Sequence, residues 1–186
     1  TRNDRGTGEE YRESMGMRYQ WGRKDPFGRT TDSRVDLYNR ISSQLSIAET
    51  ILYPNSFVRE HNPWTNEWNN NLWSSNQKTI YDPCPVGYRV AVPDVWTGFS
   101  TTGETVDRTE NMNIVGAFDY GWSFYINEDA ETAWYPVTSQ VSDEAEFGYH
   151  GTGGHIWSAY NDGGNFSKSL YFYYNSDLEC GLYPNN

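Results

Sequence analysis

The sequence predicts an α+β fold: short, mostly antiparallel strands, one or two helices and long ordered loops. Three observations predict it. Several stretches, among them 114–126 and 167–175, alternate large apolar residues with smaller or polar ones at the two-residue period of a strand. Only one stretch, Val35 to Ile51, carries helical spacing. Long runs rich in Asn, Asp, Gly, Ser and Thr, the residues of turns, separate these stretches.

Residues 1–16 are rich in Arg, Glu, Gly and Asp with almost nothing to bury, and are expected to form an exposed arm. Residues 17–186 are expected to form a single domain, a length that can bury a core. In it, Met17, Tyr19 and Trp21 alternate with Arg18, Gln20 and Gly22, which predicts a strand ended by Asp25-Pro26. Val35, Tyr38, Ile41, Leu45 and Ala48 recur at spacings of three and four, predicting an amphipathic helix with Thr31, Asp32 or Ser33 as its N-cap and Pro54 as its outer limit. Trp64, Trp68 and Trp73 lie in an Asn-rich run, which reads as a loop pinned by buried indoles in preference to an exposed sugar platform.

The stretch from Lys78 to Trp96 organises the chain. Thr79, Ile80 and Tyr81 are strand formers, and Pro83 and Pro85 then force a turn around Cys84. Gly87 gives a permissive position, Tyr88 to Val92 reads as extended, and Pro93-Asp94 turns the chain so that Trp96 folds onto the core. Nothing nearby supplies a base or a positive cluster, so Cys84 reads as structural. Cys84 and Cys180 are candidates for one disulfide, a pairing the sequence leaves open. Beyond a polar link from Thr97 to Asn113, residues 114–126 read as extended, Asn127-Glu128-Asp129 as a turn and Ala133 to Val137 as a strand. A final hairpin runs from Ile156 through a turn at Asn161-Asp162-Gly163-Gly164 to a return strand at Ser167 to Asn175.

Composition bounds the function. The 186 residues carry 14 Lys and Arg against 25 Asp and Glu, a net charge of −11, so nucleic acid and anionic membrane are poor partners. Nine of those 14 basic residues fall in the first forty positions, where neighbouring acids can pair with them. No apolar run is long enough to insert in a membrane as a helix. The core must lean on the 8 Trp, 15 Tyr and 8 Phe.

Most sought-after chemistry is missing from the pattern. His61, His150 and His155 show no spacing for a shared metal, and neither cysteine has a CxxC partner. Asn127, Glu128, Asp129 and Glu131 form a candidate calcium set without EF-hand spacing, and a solvated acidic turn is the default; no cofactor is expected. Neither a phosphate-binding loop nor a nucleophile elbow is present. The surface remains. From Tyr149 onward Tyr, Asn, Ser, Gly and Asp dominate, the set that antibody loops use for recognition. The candidate ligand-binding residues are His150, His155, Tyr160, Asn161, Asp162, Asn165, Phe166, Tyr171, Tyr173, Asn175, Asp177 and Tyr183.

Lys78 to Arg89, "KTIYDPCPVGYR", resembles the hallmark of the Fibrobacter major paralogous domain and its fimbrillin-associated relatives, secreted and surface proteins of gut and rumen bacteria. "RYQWGRKDPF" from Arg18, "YPNSFVREHNPW" from Tyr53 and the glycine, tryptophan-serine and aromatic-strand pattern from Gly148 to Ser176 resemble its other motifs, in the right order. The family's usual closing strand, a glycine followed by valine-arginine-cysteine, has no counterpart here and is expected to be missing. The resemblance implies a fold like that of C-type lectins and of the formylglycine-generating enzyme, without either activity. It also implies a cell-surface location, as part of a longer exported protein, and a ligand surface in the C-terminal part, which some relatives diversify. The expected function is non-catalytic binding of a glycan or protein. The rival expectations are a structural subunit of a surface or pilus assembly, completed by a strand from a partner chain, and, third, a carbohydrate-processing enzyme.

Overall fold

The computed structural model describes residues 16–26, 39–54, 56–58, 65, 72–106, 108–118, 121–128, 133–138, 140–141, 147–148, 153–161, 167–175 and 177–185. Their regular structure is mostly strand. β1 (Asn39–Ile41) and β2 (Ser56–Val58) pair in parallel, joined by a crossover that contains α1 (Ile47–Leu52). β3 (Ile114–Phe118), β4 (Gly121–Phe124) and β5 (Ala133–Pro136) form one antiparallel sheet, and β6 (Gln140–Val141) pairs with β7 (Phe147–Gly148). The C-terminal sheet is antiparallel: β8 (Gly153–Asn161), β9 (Ser167–Asn175) and β10 (Asp177–Asn185), with β9 in the centre. Many small antiparallel sheets with very little helix agree with the α+β expectation.

The larger core lies between the two three-stranded sheets. Trp122 and Phe124 of β4 meet Phe172 of β9 with ring centroids 5.6 and 5.8 Å apart, and Phe99 stacks on Phe124 at 5.4 Å. Leu170, Cys180, Leu182, Trp96, Met112 and Val137 complete it. Each such side chain contributes roughly 1.5–3 kcal/mol by leaving water, and each well-oriented ring pair about 0.5–1.5 kcal/mol more. The aromatic-rich composition is thus spent on this core. A second cluster gathers Trp21, Leu45, Val58, Leu72, Trp73, Val90 and Ala159 near the far end of β8. Trp73 is buried, as the pinned-loop reading requires; Trp64 and Trp68 lie outside the described residues.

The segment expected to be a strand at Met17 to Trp21 is instead a tie. Arg18 makes one isolated bridge, Met17 is exposed, and the chain turns at Trp21-Gly22, where φ of Gly22 is 84°. Long-range bonds explain the difference, because consecutive residues are claimed by different elements. Arg18 Nη2 donates to Thr138 O at 3.0 Å, and Tyr19 O accepts from Trp157 Nε1 at 3.1 Å. Gln20 exchanges two hydrogen bonds with the Val58 backbone, and Trp21 Nε1 donates to Ser158 O at 2.8 Å. Arg23, buried, donates to Ser56 O at 2.7 Å and to Tyr53 O at 3.1 Å, the carbonyl end of α1.

The helix expected over Val35 to Ile51 is much shorter. Val35, Tyr38 and the proposed caps Thr31, Asp32 and Ser33 lie outside the described residues, while Ile41 belongs to β1 and Ala48 is exposed. Ser46 is the true N-cap: its hydroxyl accepts from Glu49 N at 3.2 Å, and Glu49 Oε2 accepts from Ser46 N at 2.7 Å. Pairing of β1 with β2 overrides the helical periodicity, and this capping box starts the helix late. Tyr53 closes it before Pro54, as expected.

The corner at Cys84 is real, but its linchpin is Asp82. The Asp82 carboxylate, buried, accepts from Cys84 N at 2.8 Å, Val90 N at 3.0 Å and Lys78 Nζ at 2.9 Å. Lys78 Nζ also donates to Cys84 O at 2.6 Å. The stretch expected to be extended at 79–81 and 88–92 forms turns and irregular chain without a strand ladder, its amides going to local acceptors: Tyr81 N to Thr79 Oγ1, Tyr88 N to Pro85 O and Val90 N to Asp82. Beyond the turn at Pro93, Trp96 is buried and donates from Nε1 to Tyr135 Oη at 3.2 Å.

The extended stretch from Ile114 to Ile126 folds back on itself, with Phe118 opposite Gly121. Both cysteines are free thiols, so of the two readings the sequence leaves open the unpaired one is found. Cys84 packs against the Trp21 cluster and Cys180 lies inside the Trp122 cluster, so a bond would require pulling one thiol out of its core.

Candidate functional site

In β9, Leu170 and Phe172 point into the core while Ser169, Tyr171 and Tyr173 take the opposite face. The register sets their neighbours. His155 and Gly181 flank Tyr171; Gly153 and Glu179 flank Tyr173; Trp157 and Tyr183 flank Ser169. The second hydrophobic cluster reaches Trp157, which leaves His155, Tyr171, Tyr173 and Glu179 beyond its edge.

These four side chains form one row. The His155 and Tyr171 rings are stacked, 5.9 Å between centroids and 24° between planes, and Tyr171 and Tyr173 follow at 6.2 Å and 31°. Tyr173 Oη donates to Glu179 Oε2. Two glycines make room. A Cβ on Gly181 would sit 2.9 Å from Tyr171 Oη, so that ring reaches across β10, and a Cβ on Gly153 would sit 2.6 Å from Tyr173 Cβ and from Phe172 O. His155, Tyr171 and Tyr173 are half-buried, and Glu179 is exposed. Burial pushes the His155 imidazole down to about 4, so the ring is neutral at physiological pH. At the end of the sheet, Lys168 Nζ lies 4.6 Å from the centre of the Tyr160 ring.

Of the residues expected to bind ligand, the fold brings His155, Tyr171 and Tyr173 together and places Tyr160 at the sheet's end. Asn161, Asn175, Asp177 and Tyr183 are described only by strand position; Asp177 and Tyr183 share the register parity of Glu179 on β10. His150, Asp162, Asn165 and Phe166 lie outside the described residues. Glu179 was missed, as was all of β10. The signal was present: Leu178, Cys180 and Leu182 alternate with Glu179, Gly181 and Tyr183, which is a strand pattern facing Glu179 outward.

Both backbone edges of this sheet are occupied in part. Cys180 N donates to Thr109 Oγ1 at 3.0 Å and Leu182 N to Val106 O at 2.6 Å, while Pro184, next in that parity, has no N–H. On the other edge, Ala159 N donates to Ala91 O at 2.7 Å, and Ser158 O accepts from the Trp21 indole.

The remaining chemistry is sparse. Of the calcium candidates, Asn127 and Glu128 are exposed after β4, and Asp129 and Glu131 lie outside the described residues. Among the described residues no group of three or more His, Cys, Asp or Glu is placed to hold a metal ion, and no helix is long and apolar enough to cross a membrane. The Cys84 thiol is raised by burial and by the Asp82 carboxylate beside it, and burial pushes Cys180 up to about 12. Comparison with protein-family models, curated proteins and solved structures finds no match for this chain.

Proposed function

We propose that this chain is a non-catalytic recognition domain of an extracellular bacterial surface or fimbrial protein, with a C-type-lectin-like fold, binding a glycan or protein through the outer face of its C-terminal sheet. The observation that carries the reading is the row of His155 on β8 and Tyr171 and Tyr173 on β9, held half-exposed on a sheet whose other face is locked into the core. Aromatic rings on a rigid strand offer large contact area at little cost in conformational entropy, which is what recognition surfaces use. The motif resemblance supports the surface location and the family. In this fold the Lys78 to Arg89 motif builds a hydrogen-bonded corner, the role a recurrent motif in a scaffold would have. Donation of a strand by a partner is less favoured, because Thr109 and Val106 already occupy donors on the β10 edge.

A glycan array and a protein-binding screen, run on the intact chain and on Tyr171→Ala and Tyr173→Ala, test the reading. Loss of a bound ligand in either variant supports it. Binding undiminished in both would overturn the placement of the site.

A further inference from the structure

We infer that the partner of this face is a protein segment bearing exposed Arg or Lys side chains; the inference rests on the outer face being the ligand site, as proposed above. Two features of the row suit a cation. The first is a carboxylate set beside aromatic rings. Glu179 is exposed, and Tyr173 Oη donates to its Oε2, which orients the group and still leaves it room for further donors, since a carboxylate offers about four lone-pair positions. A cation that pairs with Glu179 meets the Tyr173 ring, whose hydroxyl touches the same group, and Tyr171 is the next ring, 6.2 Å away between centroids. Arg and Lys suit this combination, because the charged head pairs with a carboxylate while the stem or the flat guanidinium packs along a ring. The protein uses such a contact within itself: at the end of the same sheet Lys168 Nζ lies 4.6 Å from the centre of the Tyr160 ring.

The second feature is charge. Asp177 shares the parity of Glu179 on β10, and no Lys or Arg occupies a register position of that parity in β8, β9 or β10. Arg108, between the Val106 and Thr109 contacts to β10, faces Glu110 at 3.6 Å, so this pair adds no net positive charge. The His155 ring, stacked on Tyr171, is neutral and does not repel a cation. Over the whole chain the net charge of −11 attracts a basic partner and speeds its encounter, an effect that salt screens.

The row carries donors as well, the Tyr171 hydroxyl and one N–H of the neutral His155 ring. A protein segment brings backbone carbonyls that accept from such groups, beside the cation that pairs with Glu179, whereas a bare polyamine brings only donors. The segment is read by its side chains across the face and not as an added strand, since Cys180, Leu182 and Ala159 already donate to Thr109, Val106 and Ala91 along parts of both edges.

The test is calorimetric titration at pH 7, at low and at physiological ionic strength, of the intact chain, Glu179→Gln, Tyr171→Ala and Tyr173→Ala. Glu128→Gln, which removes the same charge from an exposed site after β4, is the control. The probes are tetra-arginine and tetralysine peptides, spermine of the same charge, oligoglutamate and, as a separate arm, neutral oligosaccharides. The basic peptides are expected to bind, more weakly as salt rises and more tightly than spermine, and oligoglutamate is expected not to bind. Glu179→Gln should weaken peptide binding about fivefold, the upper end for an exposed ion pair, and Glu128→Gln should change it by less than about twofold. Unchanged circular dichroism in the exposed-site variant Glu179→Gln separates the result from folding. Absence of binding by both basic peptides, binding of oligoglutamate, equal losses in Glu179→Gln and Glu128→Gln, or spermine bound as tightly as the peptides would each overturn the inference. A neutral oligosaccharide bound in place of the peptides and lost in Tyr171→Ala would refute this partner class while upholding the recognition face; binding indifferent to Tyr171→Ala and Tyr173→Ala alike would refute both.

Discussion

Replacing Asp82 by Asn tests what holds the central corner. The change is nearly isosteric, but one carboxylate oxygen becomes an NH2 group facing donors. If the amide nitrogen takes the Oδ2 position, Val90 N–H loses its 3.0 Å acceptor; if it takes Oδ1, Cys84 N–H and Lys78 Nζ both do. The cheaper choice still buries an unsatisfied N–H, about 1–3 kcal/mol, and weakens two charge-assisted bonds, so the total is about 3 kcal/mol. Lys78 is partly exposed, so its attraction counts for less than the backbone bonds. In a domain of this size that corresponds to a fall in Tm of roughly 6–12 °C. Urea unfolding followed by tryptophan fluorescence measures it. A loss below about 1 kcal/mol would show that Asp82 is a bystander.

The same residue fixes an acid limb. Burial by itself raises the Asp82 carboxyl, but the hydrogen bond from Lys78 and those from Val90 and Cys84 outweigh it and hold the pKa below its ordinary 3.8. Its contribution is therefore complete above that value, the unfolded one, and is lost as acid titrates the folded carboxylate. Stability against pH below about 4 should fall less steeply in Asp82→Asn than in the natural sequence.

Four further outcomes are expected. His155, lowered to about 4 from 6.5, takes up its proton later in the folded chain than in the unfolded one, so stability should drop between those values as pH falls; denaturation curves of His155→Gln should lack that component. Gly153→Ala places a Cβ 2.6 Å from Phe172 O and should cost about 1–3 kcal/mol while disordering the Tyr173 side of the face, seen in loss of ligand binding and a lower urea midpoint. Ser46→Ala removes the N-cap of α1 and should cost about 1 kcal/mol in urea unfolding. Thiol titration in denaturant without reductant should find both Cys84 and Cys180, and native Cys180 should stay unreactive until the chain unfolds.

What could be read from the sequence was whatever depends on near neighbours along the chain. The return strand from Ser167 to Asn175 and the alternation of Leu170 and Phe172 against Tyr171 and Tyr173 were legible, because a strand repeats every two residues whatever it packs on. Ala133 to Pro136 was legible for the same reason. The tie from Arg18 to Arg23 was not, since its bonds to other elements reach residues about thirty to well over a hundred positions away, and an alternating pattern is the same whether or not a partner strand exists. The helix was overextended because Ile41 fits both a helical stripe and β1, and only its pairing with Val58 decides between them. In the candidate site, the tyrosines announced themselves by type, whereas Glu179 needed the register of β10 to bring it opposite Tyr173.

The strap that runs past Val106 and Thr109 has a consequence for crowding. With the Cys180 and Leu182 amides taken by Thr109 and Val106, and none at Pro184, this part of the β10 flank offers a neighbouring copy no donors on which to continue the sheet.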